Sequence, residues 1–122
     1  MVKMVEMDEA VTLQQQMLHE VRPVILINKF NVNPEDVSSF LAAWAADAAF
    51  FKQQPGFIST QLHRGIGGSS VFINYAVWES VAHFRRALSQ PEFHEALKNY
   101  PASTVGSPHL FEKVAVPNIC VA

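Results

Sequence analysis

The chain has 122 residues, a formal net charge of −2 and only 16% charged residues, so it is one small domain without the basic surface that nucleic-acid binding requires. No apolar run approaches the ~18 residues of a membrane-spanning helix, which predicts no membrane insertion. Cys120 is the only cysteine and excludes an intrachain disulfide, so a reducing, cytoplasmic environment is expected.

The first segment, residues 1–22, is interpreted as an N-terminal arm or short helix. It precedes a domain at residues 23–117 and a tail at residues 118–122. Its apolar residues recur at a loose helical spacing, with polar residues between them. Pro23 ends the segment, because the residue before a proline is disfavoured in the helical conformation. The segment is either a frayed end without a role or an arm that packs on a partner subunit.

A strand and a helix follow the arm. Residues 24–31 read VILINKFN and predict a strand with two apolar faces, which is unusual for an antiparallel sheet with one face in water. Asn33 and Pro34 then form a helix start, with asparagine as the cap and proline at the first helical position. The helix is expected to run to about Gln53, where a Pro-Gly pair stops it.

The second half of the chain begins with a hairpin. Residues 57–64 and 71–78 are rich in β-branched and aromatic residues, and a loop rich in glycine and serine joins them. After these strands, the spacing of the apolar residues changes to every three to four positions, which predicts a helix. Ser80 is the predicted cap of this helix. Pro91 interrupts this helix and starts a further turn. The last strand is predicted at residues 108–116.

This order of elements predicts the α+β class: a ferredoxin-like βαββαβ sandwich, with one antiparallel sheet and helices on one of its faces. The other face carries Ile25 and Ile27 and has no cover within the chain. For a chain with 49% apolar residues, the simplest cover is the same face of a second subunit, related by a two-fold axis. We therefore expect a homodimer through the sheet face.

Three short stretches resemble a known family: Pro55-Gly56-Phe57, the strand end Tyr75–Ser80 and the helix tail Ser89–Phe93. Over about residues 23–116, the chain resembles the antibiotic biosynthesis monooxygenase domains of the dimeric α/β-barrel superfamily. The resemblance implies a cavity between the sheet and the helices of each subunit. In the enzymatic members, this cavity holds a small aromatic or quinol-like substrate that O₂ oxidises without metal or flavin. The resemblance therefore implies that no cofactor is needed.

The resemblance also implies alternatives to an oxygenase. A branch that degrades haem carries a tryptophan and a histidine where Ala87 and Leu97 stand here, which argues against haem degradation. Many quinol-type members carry histidines at the positions of Ala87 and Glu92, and both are absent. A protein that binds a small apolar ligand without converting it is therefore an alternative function. A lactone isomerase of the same fold is another.

Three residues are candidates for catalysis. Asn28 is the first, because an amide on an apolar strand face costs about 1–3 kcal/mol unless it is paired. The resemblance implies a pocket asparagine at this position, which would stabilise a developing phenolate or enolate; pairing with local backbone is the alternative. His83 is a candidate base, since imidazole titrates near neutral pH, and Tyr75 is a candidate donor to a substrate carbonyl. A half-exposed helix histidine and a strand tyrosine with a satisfied hydroxyl are the alternatives.

The candidate substrate-binding residues are side chains expected to border the cavity. They are Phe40, Trp44, His63, Trp78, Phe84 and Arg85. Core packing is an equal alternative for Phe40, Trp44 and Phe84, and a solvated helix face is the alternative for the arginine. The five histidines lack metal-ligand spacing and one cysteine is too few for a structural zinc site, so no metal is expected.

Overall fold

The computed structural model describes residues 2–122, which form one sheet with helices packed against one of its faces. The strands are β1 (Lys3–Met4), β2 (Val24–Asn31), β3 (Phe57–Arg64), β4 (Val71–Trp78) and β5 (Val105–Phe111). The helices are α1 (Leu13–Gln16), α2 (Val37–Lys52), α3 (Val81–Leu88) and α4 (Pro91–Leu97), with a 3-10 turn at Pro34–Asp36 ahead of α2. Within the described residues, no helix has both the length and the apolar character that crossing a membrane requires.

The strand order across the sheet is β1-β5-β2-β4-β3, which makes β2 the central strand. β2 pairs antiparallel with β4 and β5, and β3 pairs antiparallel with β4, so the predicted ferredoxin-like α+β fold is confirmed. The sequence predicted four strands. The fifth, β1, comes from the N-terminal arm and pairs parallel with β5, with Lys3 opposite Val105. A strand of two residues is too short to show an alternating pattern, which is why it was missed.

Side-chain alternation divides the strands between two environments. On β2, Leu26, Asn28 and Phe30 point towards the helices and border a cavity. The opposite, outer face of the sheet carries apolar side chains alongside polar ones and is partly exposed. Ile73 and Tyr75 on β4 are 38% and 37% exposed there. The helices of the chain leave most of this face open, as the two apolar faces of β2 predicted, but Ile25 is only 8% exposed and is therefore covered within the single subunit.

Two clusters of buried apolar side chains hold the helices on the sheet. The first surrounds Phe40 of α2, whose ring lies 5.0 Å from the rings of Phe30 and Phe72. The second surrounds Trp78 at the end of β4, whose indole lies 5.8 Å from the ring of Phe84 on α3. Tilted and edge-to-face rings at these separations stabilise the core beyond the area that they bury.

The helix starts only partly follow the sequence pattern. The cap of α3 is as predicted, because the hydroxyl of Ser80 accepts the backbone N–H of His83 at 3.1 Å. The cap predicted at Asn33 is wrong: its side chain makes no capping hydrogen bond. The 3-10 turn at Pro34–Asp36 separates Asn33 from α2, so the helix proper begins further along the chain than the Asn-Pro signal indicates.

The boundaries of the last strand also differ from the prediction. β5 begins at Val105 and ends at Phe111, whereas residues 108–116 were expected. The partner strand sets this length. Asn31, the end of β2, pairs with Val105, and Ile25, near its start, pairs with Phe111. Beyond the pair of Ile25 and Phe111, only Val24 remains in the central strand, so β2 offers almost no further backbone for pairing.

The N-terminal arm packs on its own subunit rather than fraying. Val2 is buried in the first cluster. Gln16 of α1 bridges the backbone of Leu110: its amino group donates to the carbonyl oxygen and its Oε1 accepts the amide N–H, both at 2.9 Å. Arg85 of α3 donates to the carbonyl oxygen of Met17. These bonds attach both β5 and α3 to the arm.

Candidate active site

A cavity of about 420 Å³ lies between the sheet and the helices, within the ~300–1,000 Å³ typical of small-molecule sites. Strands β2, β3 and β4 form its floor, α2, α3 and α4 form its roof, and the N-terminal arm closes one side. The wall is mostly apolar. Its polar side chains are Glu6, Gln14, Asn28, Asp47, Thr60, Asn74 and Tyr100.

Asn28 and Asn74 are the two amides in the floor, and they are direct partners in the register of β2 and β4. The Oδ1 of Asn28 accepts the backbone N–H of Ser107 at 3.0 Å, which fixes the orientation of this amide because a backbone N–H can only donate. The Oδ1 of Asn74 accepts the hydroxyl of Thr60 at 2.5 Å. Within residues 2–122, neither Nδ2 group donates a hydrogen bond, so two donors remain for a ligand.

Aromatic rings form the wall around Trp78. Phe51 and Phe57 meet its indole edge to face, with ring centroids 5.7 and 5.4 Å away. Phe51 also packs on Phe93 of α4 at 5.5 Å, which ties α4 to the same wall. These rings give the cavity flat apolar surfaces on which an aromatic ligand can stack.

Asp47 is a buried carboxylate in the roof, where only 8% of its surface is exposed. The hydroxyl of Tyr100 donates to its Oδ2 at 3.0 Å, whereas its Oδ1 is buried and has no hydrogen-bond partner among the described residues. Burial raises the pKa of Asp47 to about 6, and the hydrogen bond from Tyr100 opposes this rise. Burial, the charge of Asp47 and the hydrogen bond all raise the pKa of Tyr100, so this tyrosine remains a neutral donor.

The arm supplies a substantial part of the wall, mostly with apolar side chains. These residues are Val2, Met4, Val5, Glu6, Leu13, Gln14 and Met17. The Oε1 of Glu6 accepts the backbone N–H of Leu13 at 2.8 Å, which holds the connection between β1 and α1 in place. Thr12 and Gln15 form a reciprocal capping box at the start of α1. The arm is thus a structured wall of the cavity.

Four of the sequence-predicted site residues come together in this cavity. Asn28, Trp44, Trp78 and Phe84 all line it, from β2, α2, β4 and α3 respectively. The apolar patterns of the helices and strands placed them correctly on the inner faces. Their roles in catalysis or binding stay predictions.

Two other predicted residues lie on the wrong face of the sheet for a role in the cavity. Tyr75 is flanked by Ile27 and His63 by Ile73, and all four side chains are on the outer face. Both Tyr75 and His63 are exposed there. The structure therefore corrects the expectation that they border the cavity.

The remaining three predicted residues also lie outside the cavity wall. Phe40 fills the first core cluster. Arg85 is exposed on α3 and bonds to the arm. His83 packs its ring over Gly56, with Nδ1 2.7 Å from the hydroxyl of Ser80 and Nε2 3.6 Å from a carboxylate oxygen of Glu79. Its position gives no support to the predicted role as a base in the cavity.

Two polar residues of the wall were not singled out from the sequence. Asn74 lies an even number of positions before Trp78 on the same strand, so alternation alone puts both on one face. Asp47 follows Trp44 by three residues and precedes Phe51 by four, which is the spacing of one helix face. In both cases, the sequence shows a polar residue at the spacing of the apolar residues on the same face, and this spacing indicates that it lines the cavity.

Comparison with known proteins gives consistent matches. The sequence profile of the antibiotic biosynthesis monooxygenase family matches residues 23–99. Deoxynogalonate monooxygenase of Streptomyces nogalater is 40% identical over 70 residues, or 57% of this chain, and the match spans only 58% of that protein's length. The arm precedes the region that the family profile matches.

Two solved structures are also similar. SnoaB, a cofactor-independent oxygenase from Streptomyces nogalater, has 32% identity and a TM-score of 0.72 over 80% of this chain and 99% of its own. A putative monooxygenase from Shewanella loihica has 35% identity and a TM-score of 0.67, over 78% of this chain and 97% of its own.

Proposed function

The chain belongs to the antibiotic biosynthesis monooxygenase family, and we propose that it is a cofactor-independent monooxygenase that oxidises a small phenolic or quinol-type aromatic with O₂. The observation that carries the proposal is the pair of amide donors, Asn28 and Asn74, in the floor of an apolar cavity of about 420 Å³. The similarity to SnoaB, a cofactor-independent oxygenase, supports this reaction class.

In the proposed reaction the substrate itself supplies the electrons. A phenol loses a proton, its anion reduces O₂, and a new carbon–oxygen bond forms on the ring. The O–O bond and the C–H bond at that ring carbon then break. One oxygen atom becomes the second carbonyl of a quinone, and the other leaves as water with this proton and the proton lost by the phenol. The amino groups of Asn28 and Asn74 donate to the phenolate oxygen, where they stabilise the anion in a dry pocket. The rings around Trp78 hold the aromatic plane of the substrate.

Oxygen consumption with dithranol and with a dihydroxynaphthalene tests this function. The wild-type protein is expected to consume O₂ and form the quinone in the presence of EDTA and without flavin. Asn28→Ala is expected to lower kcat by roughly 10²- to 10³-fold, the usual effect of removing a donor to a developing oxyanion. Asn31→Ala is the matched control, because Asn31 is an exposed asparagine at the end of the same strand. Unchanged turnover in Asn28→Ala would contradict its role.

A ligand-binding protein without turnover is the second candidate function. The observation that favours it is that no histidine is among the residues that line the cavity in the described part of the chain. For such a protein, dithranol would quench the fluorescence of Trp44 and Trp78 on binding, while the O₂ concentration would stay constant. Saturable quenching without oxygen consumption therefore distinguishes this candidate from the oxygenase.

We propose further that the outer face of the sheet forms a homodimer. This face carries Ile73, Tyr75 and Phe111, and each remains more than a third exposed in the single subunit. Exposed aromatic and branched side chains on one flat surface are typical of an interface between copies. The helices and the cavity lie on the opposite face, so each subunit of such a dimer keeps its own cavity.

A further inference from the structure

The roof of the cavity contains a carboxylate, that of Asp47, which has no part in the role proposed above for the two amides. Trp44, Asp47, Ala48 and Phe51 lie on one face of α2, and all four line the cavity. Asp47 is therefore an acidic residue in the middle of an apolar helix face, and only 8% of its surface is exposed. A buried carboxylate without a cationic partner is unfavourable, so its presence on this face calls for an explanation.

The contacts of Asp47 leave one of its oxygens without a hydrogen-bond partner. Tyr100 donates to Oδ2 at 3.0 Å and holds the carboxylate in one orientation. Oδ1 is shielded from water and has no hydrogen-bond partner among residues 2–122. Asp47 lines the cavity, so a substrate hydroxyl at this wall would meet its carboxylate and supply a hydrogen bond that the protein leaves unmade.

The charged and titratable groups around Asp47 are few. Tyr100, which follows α4, is in direct contact, and its raised pKa keeps it protonated. From the arm, Glu6 lines the same cavity, but it is exposed and accepts the backbone N–H of Leu13. The cavity-lining side chains of the remaining elements are uncharged. Burial is the main cause of the raised pKa of Asp47, about 6, which is suited to a proton acceptor near neutral pH.

We infer that Asp47 is the general base of the proposed oxygenase reaction, with Tyr100 as its positioning residue. The inference rests on the proposed function. It assigns to Asp47 the role that the sequence suggested for His83, whose ring lies outside the cavity wall.

The proposed step is a simple proton transfer. The carboxylate of Asp47 takes the acidic proton of the substrate, from the phenolic O–H or, in an anthrone such as dithranol, from the ring CH₂. The bond to that proton breaks, and its electron pair stays on the substrate as a phenolate. Dioxygen is the oxidant that then accepts electrons from this anion. The proton on Asp47 leaves with the reduced oxygen atom when water forms, which returns the carboxylate to its starting state.

Binding of dithranol without oxygen tests the base separately from the oxidation. Under anaerobic conditions, the wild-type protein is expected to convert bound dithranol to its coloured anion as the pH rises through about 6. Asp47→Asn keeps an oxygen for Tyr100 but removes the proton acceptor, so it is expected to bind dithranol in the neutral form at the same pH. Glu35→Gln, which alters an exposed acid ahead of α2, is the matched control and should behave as wild type.

Admitting O₂ then separates the two proposals. If Asp47 is the base, Asp47→Asn loses roughly 10²- to 10⁴-fold in kcat with little change in KM, and its kcat no longer rises with pH through about 6. Anion formation in the wild type but not in Asp47→Asn, with no oxygen consumed by either, would uphold the base and refute the oxygenase. Equal anion formation in both proteins, or none in the wild type, would overturn the assignment of Asp47. The pH titration of the wild type needs no variant, so the test holds even if Asp47→Asn folds poorly.

Discussion

Asn28 and Asn74 lie directly opposite each other on the central pair of strands, each with its amide oxygen bonded to the protein. Their amino groups are therefore neighbours because the sheet pairs the two residues, and their proximity does not depend on a flexible loop. Strand register fixes their spacing, and the backbone N–H of Ser107 fixes the orientation of Asn28, while Thr60 bonds to Asn74. Such preorganised donors lose little free energy to reorganisation when charge develops on a ligand.

The first prediction concerns the coupling of these two amides. Asn28→Ala and Asn74→Ala are each expected to lower kcat by roughly 10²- to 10³-fold. The double variant is expected to lose less than the product of the two effects, because the two donors act on one oxygen and function as a unit. Steady-state oxygen consumption gives kcat for the wild type, the two single variants and the double variant. The four values together give the coupling free energy between the two amides. Fully multiplicative losses would mean that the amides serve separate acceptors.

The second prediction concerns stability and pH. The pKa of Asp47 is about 6 in the folded protein, against an ordinary value of 3.8, so between these values the folded protein binds more protons than the unfolded chain. The stability contributed by neutral Asp47 is therefore present below pH 3.8 and is lost as the pH rises through about 6. Asp47→Asn stays neutral and is expected to exceed wild type in stability at pH 8 by up to about 3 kcal/mol, but not at pH 4.

Urea unfolding of both proteins at pH 4 and pH 8 measures this difference. An amide also leaves one polar group in the place of Oδ1, so the gain at pH 8 is an upper bound. The same difference in unfolding free energy at both pH values would show that the charge of Asp47 is not its cause. A gain in stability with a loss of turnover is the pattern of a residue kept for function.

The third prediction concerns the outer face of the sheet. Ile73→Lys places a charge in the middle of the proposed dimer interface and is expected to cost about 2 kcal/mol or more, or roughly 30-fold in Kd. Ile66→Lys is the matched control, since Ile66 is 94% exposed in the β3–β4 loop and lies off this face. Light scattering coupled to gel filtration gives the mass of each variant. A monomeric wild-type protein, or a dimer that survives Ile73→Lys, would contradict the proposed interface.

The fourth prediction concerns the attachment of the arm. Gln16→Ala removes both hydrogen bonds to the backbone of Leu110, each worth about 1 kcal/mol. Amide hydrogen exchange of residues 2–17 is then expected to accelerate by roughly 10-fold or more, while α2 and the central strands keep their protection. Gln53→Ala, at an exposed position after α2, is the control. Equal exchange of the arm in both variants would show that Gln16 does not hold it.

The sequence predicted the parts of the fold that have a clear period. β2, β3 and β4 span the predicted residues, and Asn28, Trp78 and Phe84 reach the cavity because their positions follow the apolar alternation or the helical repeat. The same alternation puts Tyr75 on the outer face. Tyr75 and Trp78 are an odd number of positions apart on one strand, so they cannot both face the cavity.

The rest of the site depends on contacts between distant parts of the chain. No local pattern indicates that Lys3 pairs with Val105, or that Gln16 bonds to Leu110, because both relationships arise only after the sheet has formed. The partnership of Asp47 with Tyr100 likewise joins residues on separate elements. Sequence periodicity therefore recovers the faces of the elements, whereas the polar contacts that complete the cavity require the tertiary structure.

The arm has a consequence for how proteins of this kind can diverge. The amides and the carboxylate are on β2, β4 and α2, whereas Leu13 and Met17, which narrow one side of the cavity, belong to a stretch that precedes the family match at residue 23. We therefore expect mutations in that leading stretch to alter which molecules are admitted without disturbing the groups proposed to hold the anion. In the proposed enzyme, part of the wall that would select the substrate and the groups that would act on it therefore lie in separate segments of the polypeptide.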